Sequence, residues 1–218
     1  MTSPSSYNLL KFALLLFIAL NIALVLKIRR STPQAAEAKE MNVLRDKLIL
    51  NNLFFQMESE GAALDGSLTL ESESGEIFCL AEIVSAKPML FLRYSELHCN
   101  MCVDHGLNYL KALADSVGSE NIAILASYNN IRELAVFIRI NRIPCRVYRI
   151  PEDGTGLPAE NHGFPYLFMT DNSLRARHFH VPNKDIPELT GIFLSVVPQL
   201  YRDMKISLQQ NPIALTGN

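Results

Sequence analysis

The sequence has few cysteines, almost no net charge and only one long apolar run. Its 218 residues include four cysteines, too few for a small domain held together by many disulfides. A formal net charge of −2 provides no basic surface for nucleic acid, and no block of like charges forms an interaction tail. Since 49% of the residues are hydrophobic, we expect one globular domain with appended segments and no nucleic-acid partner.

Residues 9–28 form the stretch that is long and apolar enough to cross a bilayer. Lys11 and Asn21 are its main polar interruptions, and about 20 residues span roughly 30 Å as a helix. A cleavable signal peptide needs small residues soon after the apolar core, whereas basic residues follow this one. We therefore expect an uncleaved transmembrane helix over residues 9–28, in contact with the lipid bilayer, after a short tail at residues 1–8.

Two cysteines at CxxC spacing, Cys99 and Cys102, lie where an apolar strand-like run passes into a helix-like run. The N–H groups and the positive dipole end at the start of a helix stabilise an anion, so a thiolate is favoured there and the thiol pKa falls. The second cysteine lies about one turn further on, near enough to close a small disulfide ring. The spacing indicates a dithiol/disulfide centre.

The basic residues after the apolar run and the CxxC motif favour opposite orientations in a membrane. Lys27, Arg29 and Arg30 outweigh Lys11 plus the amino terminus, so the positive-inside rule would place the domain in the cytoplasm. A cycling disulfide suits an oxidising compartment, and charge only biases the orientation of a short anchor. We expect a single-pass protein of a bacterial inner membrane with its domain on the periplasmic side.

Residues 29–60 are expected to form a linker and a helix. Ser, Thr, Pro and Gln within residues 31–36 predict a break after the anchor, and the Ala, Glu, Lys and Leu content that follows favours helix. Met41, Leu44, Leu48 and Phe55 lie near a heptad seam, which is too short to establish a coiled coil. We expect this helix to lie on the domain or to space it from the membrane; a dimerisation helix is the alternative.

Residues 61–204 alternate strand and helix patterns, and a tail at residues 205–218 follows them. Strands are predicted over residues 67–71, 76–80, 87–94, 121–127, 144–150, 165–170 and 174–180. Helices are predicted over 102–117 with Gly118 as a stop, through about residue 140 after a cap at Asn129 or Asn130, and over 185–204. The first two strands form an N-terminal β-hairpin extension. Strands separated by helices require right-handed crossovers and a largely parallel sheet, and the last hairpin makes the sheet mixed. The expected class is α/β, a mixed sheet flanked by helices.

Several other residues have simple interpretations. Cys79 is most simply a small buried residue, Cys145 lies in a strand, and spacing does not settle whether the two are paired. His178 and His180 alternate with Phe179 and so are expected to share a solvated face of one strand. Pro198 is expected to kink or end the last helix.

The motifs Cys99-Asn-Met-Cys102 and Gly163-Phe-Pro-Tyr166, in this order of strands and helices, resemble those of the thioredoxin fold. More closely, the chain resembles the membrane-tethered TlpA/ResA-type thiol–disulfide oxidoreductases over residues 61–204. The resemblance implies that Pro165 is a cis proline facing the disulfide. It also implies that the backbone of Phe164 binds an extended substrate segment by strand addition.

The expected activity is disulfide exchange with envelope proteins. Cys99 would attack as a thiolate and form a mixed disulfide, which Cys102 would resolve. The Cys99–Cys102 disulfide would be the redox group, with no separate cofactor and no metal. Expected partners are protein thiols and disulfides, together with a membrane-bound or soluble redox partner. His98, His105 and Glu96 are candidates for tuning the thiolate or moving a proton.

Several positions depart from the family pattern. His98 replaces the usual aromatic residue, Asn100 and Met101 lack the common proline, and His105 stands where some ResA-type members have glutamate. These residues would affect the reduction potential and the choice of substrate.

Three alternative functions stay open. Two thiolates with His98, His105 or His162 would suit copper(I) or zinc, as in Sco-like carriers, although the cysteines of those proteins are spaced more widely. Peroxiredoxins have threonine or serine three residues before the reactive cysteine, where this chain has Glu96. A non-catalytic thioredoxin-like scaffold in an envelope complex is the third alternative.

Overall fold

The helices and strands follow the predicted order through most of the domain. The computed structural model describes residues 4–84, 87–98 and 100–210. In chain order its elements are α1 (Pro4–Ser59), β1 (Thr69–Ser72), β2 (Ile77–Cys79), α2 (Leu80–Val84), β3 (Met89–Ser95), α3 (Asn100–Val117), β4 (Ile122–Ser127), α4 (Ile131–Asn141), β5 (Arg146–Arg149), β6 (Tyr166–Thr170), β7 (Arg177–His180) and α5 (Pro187–Gln210). The five-residue helix α2 has no counterpart in the prediction.

Among the described residues, seven strands form one mixed sheet in the order β2-β1-β5-β4-β3-β6-β7. Strands β3, β4 and β5 are parallel, with α3 and α4 as the connections between them. Strand β6 is antiparallel to β3, and β7 is antiparallel to β6. This arrangement confirms the predicted α/β class with a mixed sheet flanked by helices.

The predicted N-terminal hairpin is present and extends the main sheet. Strands β1 and β2 are antiparallel, with Leu70 opposite Phe78. Strand β1 also pairs antiparallel with β5, where Glu71 lies opposite Arg149. The hairpin therefore adds two strands to one edge of the sheet.

Strand β3 is buried along its whole length because both faces of the sheet are covered. Leu90 and Leu92 belong to a core cluster with residues of α3, α4 and α5, among them Leu107, Leu134 and Val197. We call this side the helical face. Phe91 belongs to a second cluster with residues of α2 and of the 3₁₀ turn Pro158–His162, among them Leu80 and Ala159. We call this side the loop face.

Local signals explain where two helices begin or end. Asn130 caps α4, since its side chain accepts a hydrogen bond from the N–H of Arg132 at 2.9 Å, as expected for asparagine before a helix. Helix α3 ends at Val117, before Gly118, whose φ of 87° lies in the region that favours glycine. Both boundaries agree with the prediction.

Helix α1 runs without the interruption expected at residues 31–36, so the predicted break is wrong. Proline removes one N–H donor and costs about 3 kcal/mol in a helix interior. The residues on both sides are mostly good helix formers, which offset this cost.

The described residues include no helix that is both long and apolar enough to span a membrane.

The chain divides into two compact units, one ending at Leu48 and one beginning at Ile49. Within the second unit, the last turns of α1 lie on the domain. The amide Nδ2 of Asn52 donates to the carbonyl of Val181 at 2.8 Å, and Phe55 packs against the loop-face core. These turns therefore belong to the domain.

Helix α5 continues past Pro198 and past Met204, the residue at which the prediction ended it. Leu194 and Val197 before the proline and Met204 after it are all buried in the helical-face core. Packing on both sides holds the helix together across the missing N–H donor, because tertiary contacts supply most helical stability in proteins.

His180 does not lie on a solvated face, and that prediction is wrong. The side chain is 3% exposed, stacks on Phe193 at 4.9 Å and contacts the hydroxyl of Thr190 through Nε2 at 3.0 Å. His178 has a φ of 53°, and the pairing of β6 with β7 is irregular. This irregularity breaks the alternation of side chains, so Phe179 and His180 are both buried.

Candidate functional site

The CxxC motif lies only partly within the described residues. Cys99 is outside them, as are the side chains of Cys102 and His105. Strand β3 ends at Ser95 and α3 begins at Asn100, so the motif follows a buried strand and opens a helix. The strand-to-helix position expected from the sequence is therefore present in the described backbone on either side of Cys99.

His98 is fixed against the end of β3 by two hydrogen bonds. Its Nδ1 accepts from the N–H of Ser95 at 3.2 Å, and its own N–H donates to the carbonyl of Ser95 at 2.9 Å. Burial and the positive charge of Arg93 lower the pKa of His98, against the opposing effect of Glu160. Because Nδ1 accepts, the neutral ring carries its proton on Nε2. His98 is thus a neutral hydrogen-bond donor at pH 7 rather than a cation.

Glu96 connects the loop before Cys99 to the loop before α4. Its carboxylate accepts from the Nδ2 of Asn129 at 2.6 Å and from the N–H of Asn129 at 3.2 Å. Its own N–H donates to the carbonyl of Ser127 at 3.0 Å. These contacts give Glu96 a role in holding the loop, beside the tuning role expected from its charge.

Phe164 and Pro165 lie where the chain enters β6. Pro165 is buried, whereas the side chain of Phe164 is 47% exposed. The described residues contain no cis peptide bond, so the Phe164–Pro165 bond is trans and the expected cis proline is wrong. A trans X–Pro bond is the more stable form by about 0.5–1 kcal/mol, and only tertiary contacts can reverse that preference.

The last turns of α1 contact the segment that carries Phe164. The ring of Phe55 lies 4.1 Å from that of His162 and 6.2 Å from that of Phe164. The Nε2 of His162 is 3.1 Å from a carboxylate oxygen of Glu58. The sequence analysis assigned no site role to these α1 residues.

Strand pairing brings the two sequence motifs to the same end of the neighbouring strands β3 and β6. Strands β3 and β6 are antiparallel neighbours, and Arg93 lies opposite Tyr166. Continuing this register beyond the paired residues places Pro165 and Phe164 beside the end of β3, which leads to Cys99. The two motifs are separated by more than 60 residues in the sequence, yet the described backbone brings their flanking residues together.

A buried ion pair lies near this end of β3 and β6, on the loop face. The side chain of Arg93 is 1% exposed, and its Nε donates to Oε1 of Glu160 at 2.8 Å. The same oxygen accepts from the hydroxyl of Tyr166 at 2.7 Å and from the N–H and hydroxyl of Thr155 at 2.8 and 3.1 Å. We call Arg93, Glu160, Tyr166 and Thr155 the Glu160 cluster.

The electrostatics of the cluster favour the charged form of Glu160. Burial alone would raise the pKa of this carboxyl, but Arg93 and the donors of Thr155 and Tyr166 outweigh burial and lower it. Burial and the nearby carboxylate raise the pKa of Tyr166, which stays a neutral donor. The sequence contained one signal for the cluster, an arginine inside an otherwise apolar strand, which requires a buried partner.

The two cysteines outside the CxxC motif are free. Cys79 ends β2, whereas Cys145 precedes β5, and strand β1 lies between these two strands in the sheet. Burial raises the pKa of the Cys145 thiol to about 11, which keeps it protonated and unreactive near neutral pH. The pairing of Cys79 with Cys145 that the sequence left open does not occur.

The described residues contain no group of three or more His, Cys, Asp or Glu side chains that could hold a metal ion. His162, one of the histidines considered for metal binding, contacts Glu58.

Comparison of the sequence with protein-family models and with curated proteins gave no match. Solved structures do match in fold. A candidate protein disulfide isomerase from Bacteroides thetaiotaomicron superposes with a TM-score of 0.50 at 11% identity, over 71% of this chain and 93% of that chain. The fold is therefore thioredoxin-like.

Two further structures superpose less closely. Peroxidoxin BcpB from Mycobacterium tuberculosis has a TM-score of 0.49 at 14% identity, over 64% of this chain and 97% of that chain. A candidate thiol:disulfide interchange protein DsbE from Chlorobium tepidum has a TM-score of 0.46 at 11% identity, over 65% and 97%. At these identities the likeness concerns the fold alone.

Proposed function

We propose that this protein is a membrane-anchored thiol–disulfide oxidoreductase that exchanges disulfides with envelope proteins through Cys99 and Cys102. The observation that carries the proposal is the position of the CxxC motif in a thioredoxin-like fold. It follows buried strand β3 and opens helix α3, which begins at Asn100. A thiolate at a helix start is stabilised by the helix dipole and by unpaired N–H groups.

In the proposed cycle, the Cys99 thiolate attacks one sulfur of a substrate disulfide. A Cys99–substrate bond forms, and the other substrate sulfur leaves as a thiolate that takes up a proton. The Cys102 thiolate then attacks Cys99 and displaces the second substrate sulfur. The substrate gains two electrons, and Cys99 and Cys102 become a disulfide. A membrane-bound or soluble dithiol partner resets the centre, and the reverse sequence oxidises a substrate.

The described residues around the motif support this chemistry. His98 is neutral with its proton on Nε2, so it can donate a hydrogen bond or move a proton. Glu96 fixes the loop through Asn129. The exposed Phe164 precedes the first paired residue of β6, where an extended segment of a partner protein could bind. His105 keeps its proposed tuning role.

The main test is disulfide exchange with insulin by the full-length protein in detergent. We expect Cys99→Ser to abolish turnover and Cys102→Ser to accumulate mixed disulfides, visible on non-reducing gels. Cys79→Ser and Cys145→Ser are matched controls and should retain wild-type rates, because both thiols lie outside the proposed centre. Unchanged turnover in Cys99→Ser would contradict the mechanism.

The reduction potential of the Cys99–Cys102 pair would give the direction of electron flow. For a two-electron couple, about 30 mV corresponds to a tenfold change in the equilibrium constant. Stoichiometric copper(I) binding by the two cysteines without exchange activity would instead favour the metal-carrier alternative.

Membrane anchoring through residues 9–28 is the second part of the proposal. No helix of the described residues is both long and apolar enough to span a membrane, so the support is the apolar composition of residues 9–28 and the exposure of large side chains along it, including Phe12 at 70%, Leu15 at 65% and Leu20 at 68%. Soluble monomers rarely expose so large an apolar surface. Membrane fractionation would test the anchor. Protease protection would test the periplasmic orientation, which Lys27, Arg29 and Arg30 oppose.

A further inference from the structure

The Arg93–Glu160 pair is unusual because Arg93 is fully buried in the middle of the sheet. Removing a guanidinium from water is costly, and an ion pair offsets that cost without adding much stability. An apolar pair of similar volume would fill the same space. Stability alone therefore gives no reason for two charges at this position.

The contacts of Glu160 join three separate parts of the domain. Arg93 belongs to β3, the strand that leads to Cys99. Thr155 precedes the 3₁₀ turn that contains Glu160, and Tyr166 is the first residue of β6. The segment from Thr155 to Tyr166 carries Phe164 and Pro165. Both of its end residues donate hydrogen bonds to the Glu160 carboxylate, which therefore holds the two ends together.

Hydrogen bonds to a charged acceptor are directional and about twice as strong as neutral ones, so they fix distance and orientation as apolar contacts do not. Arg93 lies directly opposite Tyr166 across the β3–β6 ladder. The guanidinium also donates to the carbonyl of Tyr94, one residue further along β3. The pair therefore fixes the entry of β6 to the part of β3 next to the CxxC loop.

We propose that Arg93 and Glu160 are positioning residues that hold the Phe164–Pro165 segment in place beside the end of β3. Held in this way, the segment makes the site select extended polypeptide disulfides over small disulfides. This inference rests on the proposed oxidoreductase function for its kinetic consequence. The positioning itself does not depend on that function.

The test uses the full-length protein with two variants, Glu160→Gln and the double variant Arg93→Met/Glu160→Met. The glutamine keeps an acceptor oxygen but loses the charge. The double variant removes both charges together, so no unpaired charge stays buried, and circular dichroism checks that the variant is folded. Glu71→Gln is the matched control, because Glu71 pairs with Arg149 elsewhere in the sheet.

Two substrates separate positioning from thiol chemistry. With insulin, we expect the double variant to raise KM about tenfold, the effect of losing one substrate hydrogen bond at the displaced Phe164 backbone, with kcat within twofold. With the small disulfide 5,5′-dithiobis-(2-nitrobenzoate), KM and kcat should both stay within twofold. Glu160→Gln should be intermediate, and Glu71→Gln should match the wild type. An equal loss with both substrates would overturn the inference, since the pair would then act on the thiolate.

Hydrogen exchange tests the positioning role without an activity assay, so its result does not depend on the proposed function. Hydrogen exchange of the backbone amides over residues 155–168 should become at least about tenfold faster in the double variant, while α4 stays unchanged. If wild-type protein fails to exchange disulfides but this acceleration is seen, the oxidoreductase proposal is wrong and the positioning role stands. Unchanged exchange over residues 155–168 would overturn the positioning role in either case.

Discussion

The two faces of the central strands are built from different interactions. On the helical face, Leu90 and Leu92 of β3 and Leu167 of β6 pack against apolar residues of α3, α4 and α5. On the loop face, Arg93 and Tyr166 of the same strands bond to Glu160. Apolar packing is non-directional and provides stability, whereas charged hydrogen bonds determine where a segment lies. The face that adjoins the candidate substrate segment is the one with the polar contacts.

The first prediction concerns the loop face and has the largest expected effect. Glu160→Ala leaves Arg93 as a buried charge without its carboxylate, and the free energy of unfolding should fall by about 3–5 kcal/mol. Arg93→Met/Glu160→Met should lose less than Glu160→Ala, because it leaves no unpaired charge and only the donors of Thr155 and Tyr166 lose their acceptor. Denaturant unfolding monitored by circular dichroism measures both. A double variant as unstable as Glu160→Ala would show that the pair itself stabilises the fold.

The second prediction concerns the helical face. Leu92→Ala should lower the free energy of unfolding by about 2–5 kcal/mol, because it leaves a cavity under α3. Leu97→Ala is the control: its side chain is 76% exposed, so its effect should stay within about 0.5 kcal/mol. The comparison of the two faces would be wrong if Leu92→Ala had no larger effect than Leu97→Ala.

The third prediction is a pH dependence from His180. Burial lowers its pKa to about 4 from an ordinary value of 6.5, so the unfolded chain takes up a proton at a higher pH than the folded chain. Above pH 6.5, His180 is neutral in both the folded and the unfolded chain, so it does not lower the free energy of unfolding. As the pH falls from 6.5 to about 4, protonation of the unfolded chain lowers the free energy of unfolding progressively, by up to about 3 kcal/mol.

His180→Gln should remove this slope. His98, whose pKa is also lowered, acts in the same direction, so the difference between wild type and His180→Gln isolates His180. Denaturant midpoints at pH 7.5, 5.5 and 4.5 provide the measurement. Parallel pH profiles for the two proteins would contradict the assignment.

The fourth and smallest prediction concerns a single polar contact at the start of α4. Asn130→Ala removes the acceptor for the N–H of Arg132 and should lower the free energy of unfolding by about 1 kcal/mol. Asn130→Asp keeps an acceptor and should retain most of that stability. Thermal unfolding resolves a difference of this size, and equal losses in both variants would show that the cap is not the cause.

The sequence alone determined the parts of the structure that depend on near neighbours in the chain. The apolar run of residues 87–94 predicted β3, the pair Asn129 and Asn130 predicted the start of α4, and the alternation over residues 67–80 predicted the β1–β2 hairpin. The parallel and antiparallel parts of the sheet followed from the lengths of the connections between strands. The CxxC motif could be recognised because it comprises only four consecutive residues, Cys99 to Cys102, and its redox role stays a prediction.

Only the tertiary structure decided how distant residues combine. Arg93 could be recognised as a charge in a buried strand, but its partner is 67 residues away, and spacing in the chain does not select one acid among many. His180 is buried because His178 has a positive φ and the pairing of β6 with β7 is irregular there. The backbone geometry at this point outweighed the two-residue alternation expected of a regular strand.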